Sequence, residues 1–119
     1  MNKRHAAHVQ RMVEAVLSGP GDTDPALRRA IEAWAAKLGG RSGAEEVEVP
    51  AELAGYVTKV ALHAYKTLDE DIEALRNAGY SEDAIFEITL SAAIGAGQAR
   101  LERGLVTLKG AQDAAQEAR

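Results

Sequence analysis

The segment spanning residues 49–105 constrains the fold most strongly, because its apolar residues recur at helical spacing and are interrupted at sharp boundaries. Pro50 suits a first-turn position and opens one helix. The T-x-x-E pattern of Thr67 and Glu70 predicts a capping box at the start of a short second helix. Gly79 is placed to close that helix as a C-terminal glycine. The segment therefore predicts three consecutive helices joined by short turns.

The flanking sequence extends the same pattern in both directions. A first helix is expected over residues 2–17, and the next begins at Asp24 and Pro25, which suit the N-cap and first helical positions. Ser81 is the expected N-cap of the last helix. The residues from Gly110 onward have little to bury and are expected to fray. Because no alternating strand pattern is found, the chain is predicted to be all-α, a bundle of about five to six helices.

Length and charge limit the domain count and the class of partner. We expect one domain from 119 residues, with N-terminal helices and a loop over residues 1–48, core helices over 49–109 and a tail over 110–119. The net charge of -4 argues against nucleic-acid binding. No apolar run approaches the ~20 residues of a membrane span, and no signal peptide is recognised. A cytoplasmic protein that does not bind membranes is the resulting prediction.

The chain contains no cysteine, which excludes disulfides, a thiolate nucleophile and cysteine-ligated metal sites. His5 and His8 share one helix face, but no further ligands complete a recognisable metal site. The sequence therefore predicts no metal and no cofactor. Gly95 and Gly97 lack the spacing of a nucleotide-binding loop and are interpreted as positions of close helix packing.

Reactive side chains gather on one face of the third predicted helix. Glu52 and His63 are eleven residues apart and lie nearly in line, because a helix advances about 100° per residue. Tyr56 and Lys59 fall between them, and Lys66 continues the stripe. His63 is the natural general acid or base, since its unperturbed pKa is about 6.5. The alternative interpretation, which stays open, is a solvated and ion-paired helix face with a structural role for His63.

This segment resembles the core of the carboxymuconolactone decarboxylase family, which includes the AhpD-like alkylhydroperoxidases. In AhpD-like proteins, a helix bearing a glutamate leads into a Cys-x-x-Cys-x-x-x-His motif, and a turn glycine follows eight residues after the histidine. Gly79 matches that glycine and Glu52 matches the glutamate. The two cysteine positions hold Ala64 and Thr67, and the histidine position holds Asp71. The resemblance covers about half the chain and lacks the redox signature.

The resemblance implies an AhpD-like helical fold and a non-redox function. Thiol peroxidase activity is not expected, because its mechanism needs one thiolate to attack the peroxide and a second thiol to resolve the product. A decarboxylase-type lyase that acts by proton transfer on a small organic acid or lactone is the hypothesis that remains. Its catalytic residues would be His63 and Glu52. Its substrate-binding residues would be Lys59, Lys66, Tyr56, Thr67 and Asp71.

Two alternatives to the lyase hypothesis stay open, an inactive small-molecule-binding protein of the same fold and a helical assembly module. The last helix bears on this choice, because its apolar residues continue through Leu101, Leu105, Val106 and Leu108, further than a small monomer readily covers. Apolar area exposed on this scale marks an interface. The family resemblance also implies trimers or hexamers with pockets near subunit boundaries. We therefore expect a closed homo-oligomer, a trimer or hexamer.

Overall fold

The structure, a computed structural model, describes residues 3–43 and 46–118. Over these residues the chain is all-helical and contains no strand, as predicted. The helices are α1 (Lys3–Ser18), α2 (Pro25–Leu38), α3 (Ala51–His63), α4 (Asp69–Asn77) and α5 (Glu82–Glu117), and a 3-10 turn (Ala64–Lys66) links α3 to α4. None of these helices combines the length and the apolar character that crossing a membrane requires.

Helices α2 and α5 form the closest pair, and α3 packs across both of them. The buried core consists of aliphatic and small side chains, including Ile31, Leu53, Val57, Ile88 and Ala92. Gly95 permits the close approach of α5 to α2, because a Cβ at this position would overlap the Glu32 carbonyl and lie 3.1 Å from the Ala36 nitrogen. The predicted close packing is therefore confirmed at Gly95. Around Gly97, by contrast, the corresponding space is open.

Most predicted helix boundaries are confirmed by the capping geometry. The Asp24 carboxylate accepts a hydrogen bond from Ala26 N–H at 2.8 Å, and the Ser81 hydroxyl accepts one from Ala84 N–H at 3.0 Å. Gly79 follows α4 with φ +101°, a conformation that favours glycine. Its N–H donates to the carbonyl of Arg76 at 3.0 Å, which closes the last turn of α4.

The predicted capping box of Thr67 and Glu70 is wrong by one residue. The N-cap of α4 is Leu68, and the Asp71 carboxylate accepts a hydrogen bond from Leu68 N–H at 2.8 Å. Thr67 belongs to the preceding turn, since its N–H donates to the Ala64 carbonyl at 3.1 Å. The 3-10 turn after α3 thus delays the start of α4, so that Asp71 rather than Glu70 reaches back to the helix start.

The expectation that the tail frays from Gly110 is also wrong, because α5 continues as one helix to Glu117. The tail is rich in alanine and contains no proline, so the helical hydrogen bonds can continue to the end. At 36 residues α5 is about 54 Å long, and the chain extends 61 × 28 × 25 Å. The second half of α5 therefore projects beyond the helical core.

The loop between α1 and α2 is held by a buried arginine. Arg28, which is 2% exposed, donates hydrogen bonds to the carbonyl oxygens of Val16 at 2.5 Å, Gly19 at 2.6 Å and Thr23 at 3.2 Å. Carbonyl groups at the end of a helix lack partners within that helix, so a cation placed there satisfies them. Arg28 thereby fixes the position of α1 on α2.

Candidate functional site

The predicted site lies along α3 and the turn that follows it, and its members differ in burial. Tyr56 is buried, whereas Glu52 and His63 are exposed near opposite ends of α3. Eleven residues of helix separate Glu52 and His63 by about 16 Å. The two predicted catalytic groups therefore do not meet within one chain.

Glu52 is engaged by a residue from another part of the fold. Its carboxylate accepts a hydrogen bond from the Tyr80 hydroxyl at 2.8 Å. Bonds from its own backbone N–H and from Tyr80 hold the pKa of Glu52 below its ordinary value. Burial, and then the bond to Glu52, raise the pKa of the Tyr80 hydroxyl. This contact ties the first turn of α3 to the turn between α4 and α5.

Tyr56 is also engaged, since its hydroxyl lies 2.6 Å from the Thr89 hydroxyl on α5. Thr89 donates its own proton to the Ile85 carbonyl at 2.7 Å. Tyr56 is therefore the donor in the tyrosine–threonine pair. The bond satisfies the one polar group that Tyr56 brings into the core.

Lys59 and Asp71 form an ion pair between α3 and α4. The Lys59 ammonium donates to both carboxylate oxygens of Asp71 at 2.9 Å. The backbone N–H of Leu68, followed by Lys59, holds the pKa of Asp71 below its ordinary value. Asp71 is thus an ionised helix cap that also neutralises a lysine.

The end of α3 and the 3-10 turn form an exposed corner defined by His63, Tyr65 and Lys66. The His63 and Tyr65 rings meet edge to face with centroids 6.1 Å apart, and the Lys66 ammonium lies 5.8 Å from the Tyr65 ring centre. Tyr65 is 81% exposed. Thr67, the remaining predicted substrate-binding residue, is half-buried beside this corner. The corner presents an imidazole, a phenol and a cation to solvent.

The chemistry available to these groups within one chain is limited. Both carboxylates have lowered pKa values, whereas a general base that works near neutral pH needs a raised one. Two open grooves lie elsewhere, and none of the seven predicted site residues lines either of them. Across residues 3–43 and 46–118, no cluster of three or more potential metal ligands occurs.

The larger groove, of about 860 Å³, is called the α1–α5 groove. It lies between Ala6 of α1 and the side chains of Leu105, Leu108 and Gln112 on α5. The smaller groove, of about 460 Å³, runs beside Arg41 and the same half of α5. Both open spaces are therefore associated with the part of α5 that projects from the core.

Sequence reasoning missed Tyr80 and Thr89, the partners of Glu52 and Tyr56. They lie 28 and 33 residues from those partners. A helical period identifies residues on one face of one helix, but it carries no information about which neighbouring element covers that face. Tyr80 did have a local signal, because it follows the glycine that directs the chain back toward α3.

Comparisons of this chain with family models, with curated proteins and with solved structures find no match. The resemblance to the carboxymuconolactone decarboxylase family therefore rests on the spacing of Glu52, Gly79 and the last helix alone.

Proposed function

We propose that this chain is a helical assembly module that acts as a closed homo-oligomer. The observation that carries the proposal is the amount of surface on one chain. The accessible area is 7820 Å², whereas a compact monomer of 12.6 kDa exposes about 6,200 Å². The radius of gyration is 16.5 Å, against about 13.5 Å for a compact domain of this length. Each chain thus has about 1,600 Å² more surface than its mass requires.

Much of this additional surface belongs to the projecting half of α5, where apolar side chains face solvent. Leu101 is 44% exposed, Leu108 54% and Val106 73%. Met12 on α1, at 59% exposed, adds to the apolar surface. Exposed apolar surface of this kind is typical of an interface. Covering it with further copies is consistent with the closed homo-oligomer that the sequence predicts.

The contacts of the predicted site residues within one chain favour an assembly function over catalysis by a single chain. Glu52, Tyr56 and Lys59 all have partners within the chain, and neither open groove reaches them. A proton-transfer site needs groups that converge on a substrate. In this chain the same groups hold α3 against the helices around it.

Sedimentation equilibrium tests the proposed function directly. Over a wide range of chain concentrations, we expect a mass that is a whole-number multiple of 12.6 kDa and at least twice that value. High salt should weaken this assembly little, because its driving force is apolar burial. A mass that stays at one chain across the whole range would rule out the assembly function.

A second candidate function is the decarboxylase-type lyase acting on a small organic acid or lactone, and the exposed corner at His63, Tyr65 and Lys66 favours it. An imidazole and a cation beside an aromatic ring are groups that bind and protonate carboxylates. Assembly would provide the missing wall of this site and bring Glu52 of another copy to it.

The matched variants His63→Ala and His8→Ala test the lyase candidate against a panel of small organic acids and lactones. We expect His63→Ala to lower turnover about 10²-fold or more, and His8→Ala, at an exposed histidine on α1, to leave it unchanged. Because His63 is exposed, its loss should barely change the melting temperature. If no member of the panel is turned over or raises the melting temperature, this candidate is eliminated.

A further inference from the structure

The projecting half of α5 carries an apolar seam that the core does not use. Its members alternate at spacings of four and three residues: Leu101, Leu105, Leu108, Gln112 and Ala115. The buried residues of α5 all precede the seam, which begins where burial of the helix ends: they are Ala84, Ile85, Ile88, Ser91, Ala92, Gly95, Ala96 and Ala99. Spacings of three and four are the heptad pattern of helices that pair with each other. The seam is therefore arranged to receive another helix.

Small residues line one edge of this seam at every seventh position. They are Gly97, Gly104, Ala111 and Ala118. Neither of the two glycines has any atom within 4 Å of the place where a Cβ would lie. Glycine inside a helix is about 1 kcal/mol less favourable than alanine, and Gly95 alone has a reason within the chain. The space beside Gly104, which lies next to the seam, is therefore open for a neighbouring helix to approach closely.

We propose that residues 101–117 of α5 pair antiparallel with the same segment of a second copy, across a twofold axis near Thr107. Each copy's helix then lies along the α1–α5 groove of the other, and the two α1 helices complete a four-helix bundle. This inference rests on the proposed self-association and specifies the surface that produces it.

The direction of pairing follows from the charges beside the seam. Glu102 and Lys109 lie on the same edge, one heptad apart. When Leu105 faces Leu108 of the second copy in antiparallel order, Glu102 faces Lys109 of that copy, and symmetry repeats the pair. In parallel order, Lys109 would face glycine instead. Within the described residues Lys109 forms no ion pair. Glu102 accepts hydrogen bonds from Arg41 at 2.8 and 3.2 Å, and its side chain is still 55% exposed.

The surface area of the chain fits a second copy as the occupant. A standard protein interface buries about 800 Å² on each partner, roughly half of the additional surface of this chain. A twofold axis places the same patch on both sides, which requires a self-complementary surface. The leucine seam, with an acid and a base on its edge, meets that requirement. The surface that remains is enough for further contacts in a hexamer.

Two spin-labelled variants test the direction of pairing. Thr107 and Ala114 are exposed and lie one heptad apart, at equivalent positions of the repeat. Thr107→Cys and Ala114→Cys each give a unique label, because the chain has no other cysteine. Antiparallel pairing places the two Thr107→Cys labels level with each other. It separates the Ala114→Cys labels by about 20 Å more along the helix axis. Equal distances for both variants, whether short or long, would overturn the proposal.

A second pair of variants tests the close approach at the small-residue edge. Gly104→Leu and Gly110→Leu each place a bulky side chain in open space within the chain, but only Gly104 lies beside the seam. We expect Gly104→Leu to weaken association about tenfold or more, and Gly110→Leu to leave it unchanged, with the helix content of both retained. Equal effects of the two variants would contradict the proposal.

These outcomes separate the interface from the assembly function itself. An oligomer with equal label distances, or with no difference between Gly104→Leu and Gly110→Leu, disproves the antiparallel α5 pairing and leaves self-association standing. A chain that remains a monomer at every concentration disproves both.

Discussion

Arg28 and Glu87 hold the α1–α2 loop from two sides, with the Arg28 Nε 3.9 Å from a Glu87 carboxylate oxygen. The arginine binds carbonyl oxygens of the loop region, whereas the carboxylate accepts from the N–H groups of Asp22 at 2.8 Å and Thr23 at 2.9 Å. Among the described residues, the Arg28 Nε has no hydrogen-bond partner. The two side chains are therefore linked by charge and by the loop that both of them bind.

Removal of the buried arginine should be far more costly than removal of its neighbour. Arg28→Ala leaves three carbonyl groups and a mostly buried carboxylate without their cation, so we expect a loss of about 3 kcal/mol or more in the free energy of unfolding. Arg29→Ala, which removes an exposed pair with Glu14, should have a much smaller effect. Urea unfolding at one fixed chain concentration measures both, and similar losses would contradict the prediction.

Glu87 should make the stability of the protein depend on acidic pH. Burial by itself would raise the pKa of this carboxyl, but the bonds from Thr23 and Asp22, with the charge of Arg28, outweigh burial and lower it below 4.5. A lowered pKa in the folded state adds stability that is present above the ordinary pKa and is lost as pH falls through the folded value.

Glu87→Gln provides the corresponding measurement. We expect the variant to be less stable than the parent at neutral pH, and the difference to shrink as acidification takes the pH below 4.5 and through the lower pKa of the folded state. Unfolding curves recorded across this interval test the sign. A difference that stays constant with pH would mean that the carboxylate charge plays no part.

Gly95 and Gly97 should respond in opposite directions to the same substitution. Gly95→Ala places a methyl group into the Glu32 carbonyl and should destabilise the α2–α5 contact, although alanine favours helix formation. Gly97→Ala meets open space and should stabilise the chain by about 1 kcal/mol. Thermal unfolding of the two variants compares them directly, and a stabilising Gly95→Ala would refute the close packing.

Asp71 should stabilise the fold more through its hydrogen bond at the start of α4 than through its ion pair with Lys59. Asp71→Ala removes both the cap on Leu68 and the partner of Lys59, so its melting temperature should fall below that of Lys59→Met, which removes only the ion pair. Asp69→Ala is the matched control, because Asp69 lies in the same turn and is exposed. A larger loss for Lys59→Met would make the ion pair the more important contact.

The boundaries of the helices were predictable because they depend on neighbouring residues. Asp24, Ser81 and Gly79 act within three or four positions of themselves, and their roles are confirmed. The start of α4 was predicted one residue early, since it depends on how α3 ends in a 3-10 turn. The helical tail after Gly110 was not predicted, because its apolar content is too low to indicate burial, whereas its helix propensity is high enough for α5 to continue to Glu117.

The candidate site was less predictable, because its contacts cross between elements. The spacing of Glu52 and His63 correctly places both on α3, but it does not predict that Tyr80 binds the first or that the second lies in solvent. The motif spacing aligns Asp71 with a histidine position, which does not predict its role in the structure. Its bonds to Leu68 and Lys59 are those of a helix cap. The catalytic roles of Glu52 and His63, and the substrate-binding role of Asp71, stay predictions.

Because α5 is one uninterrupted helix, its two halves should differ in how strongly their backbone amides are protected from hydrogen exchange. Around Ser91 and Ala92 the helix is buried in the core, whereas beyond Leu101 nearly every residue is exposed in the isolated chain. In the buried part of α5, breaking the helical hydrogen bonds requires the core to come apart. In the exposed part, it requires only that the helix unwinds from its end. Hydrogen exchange along α5 should therefore slow progressively from Ala118 toward Ser91, and the position at which it slows marks how far a partner covers the helix.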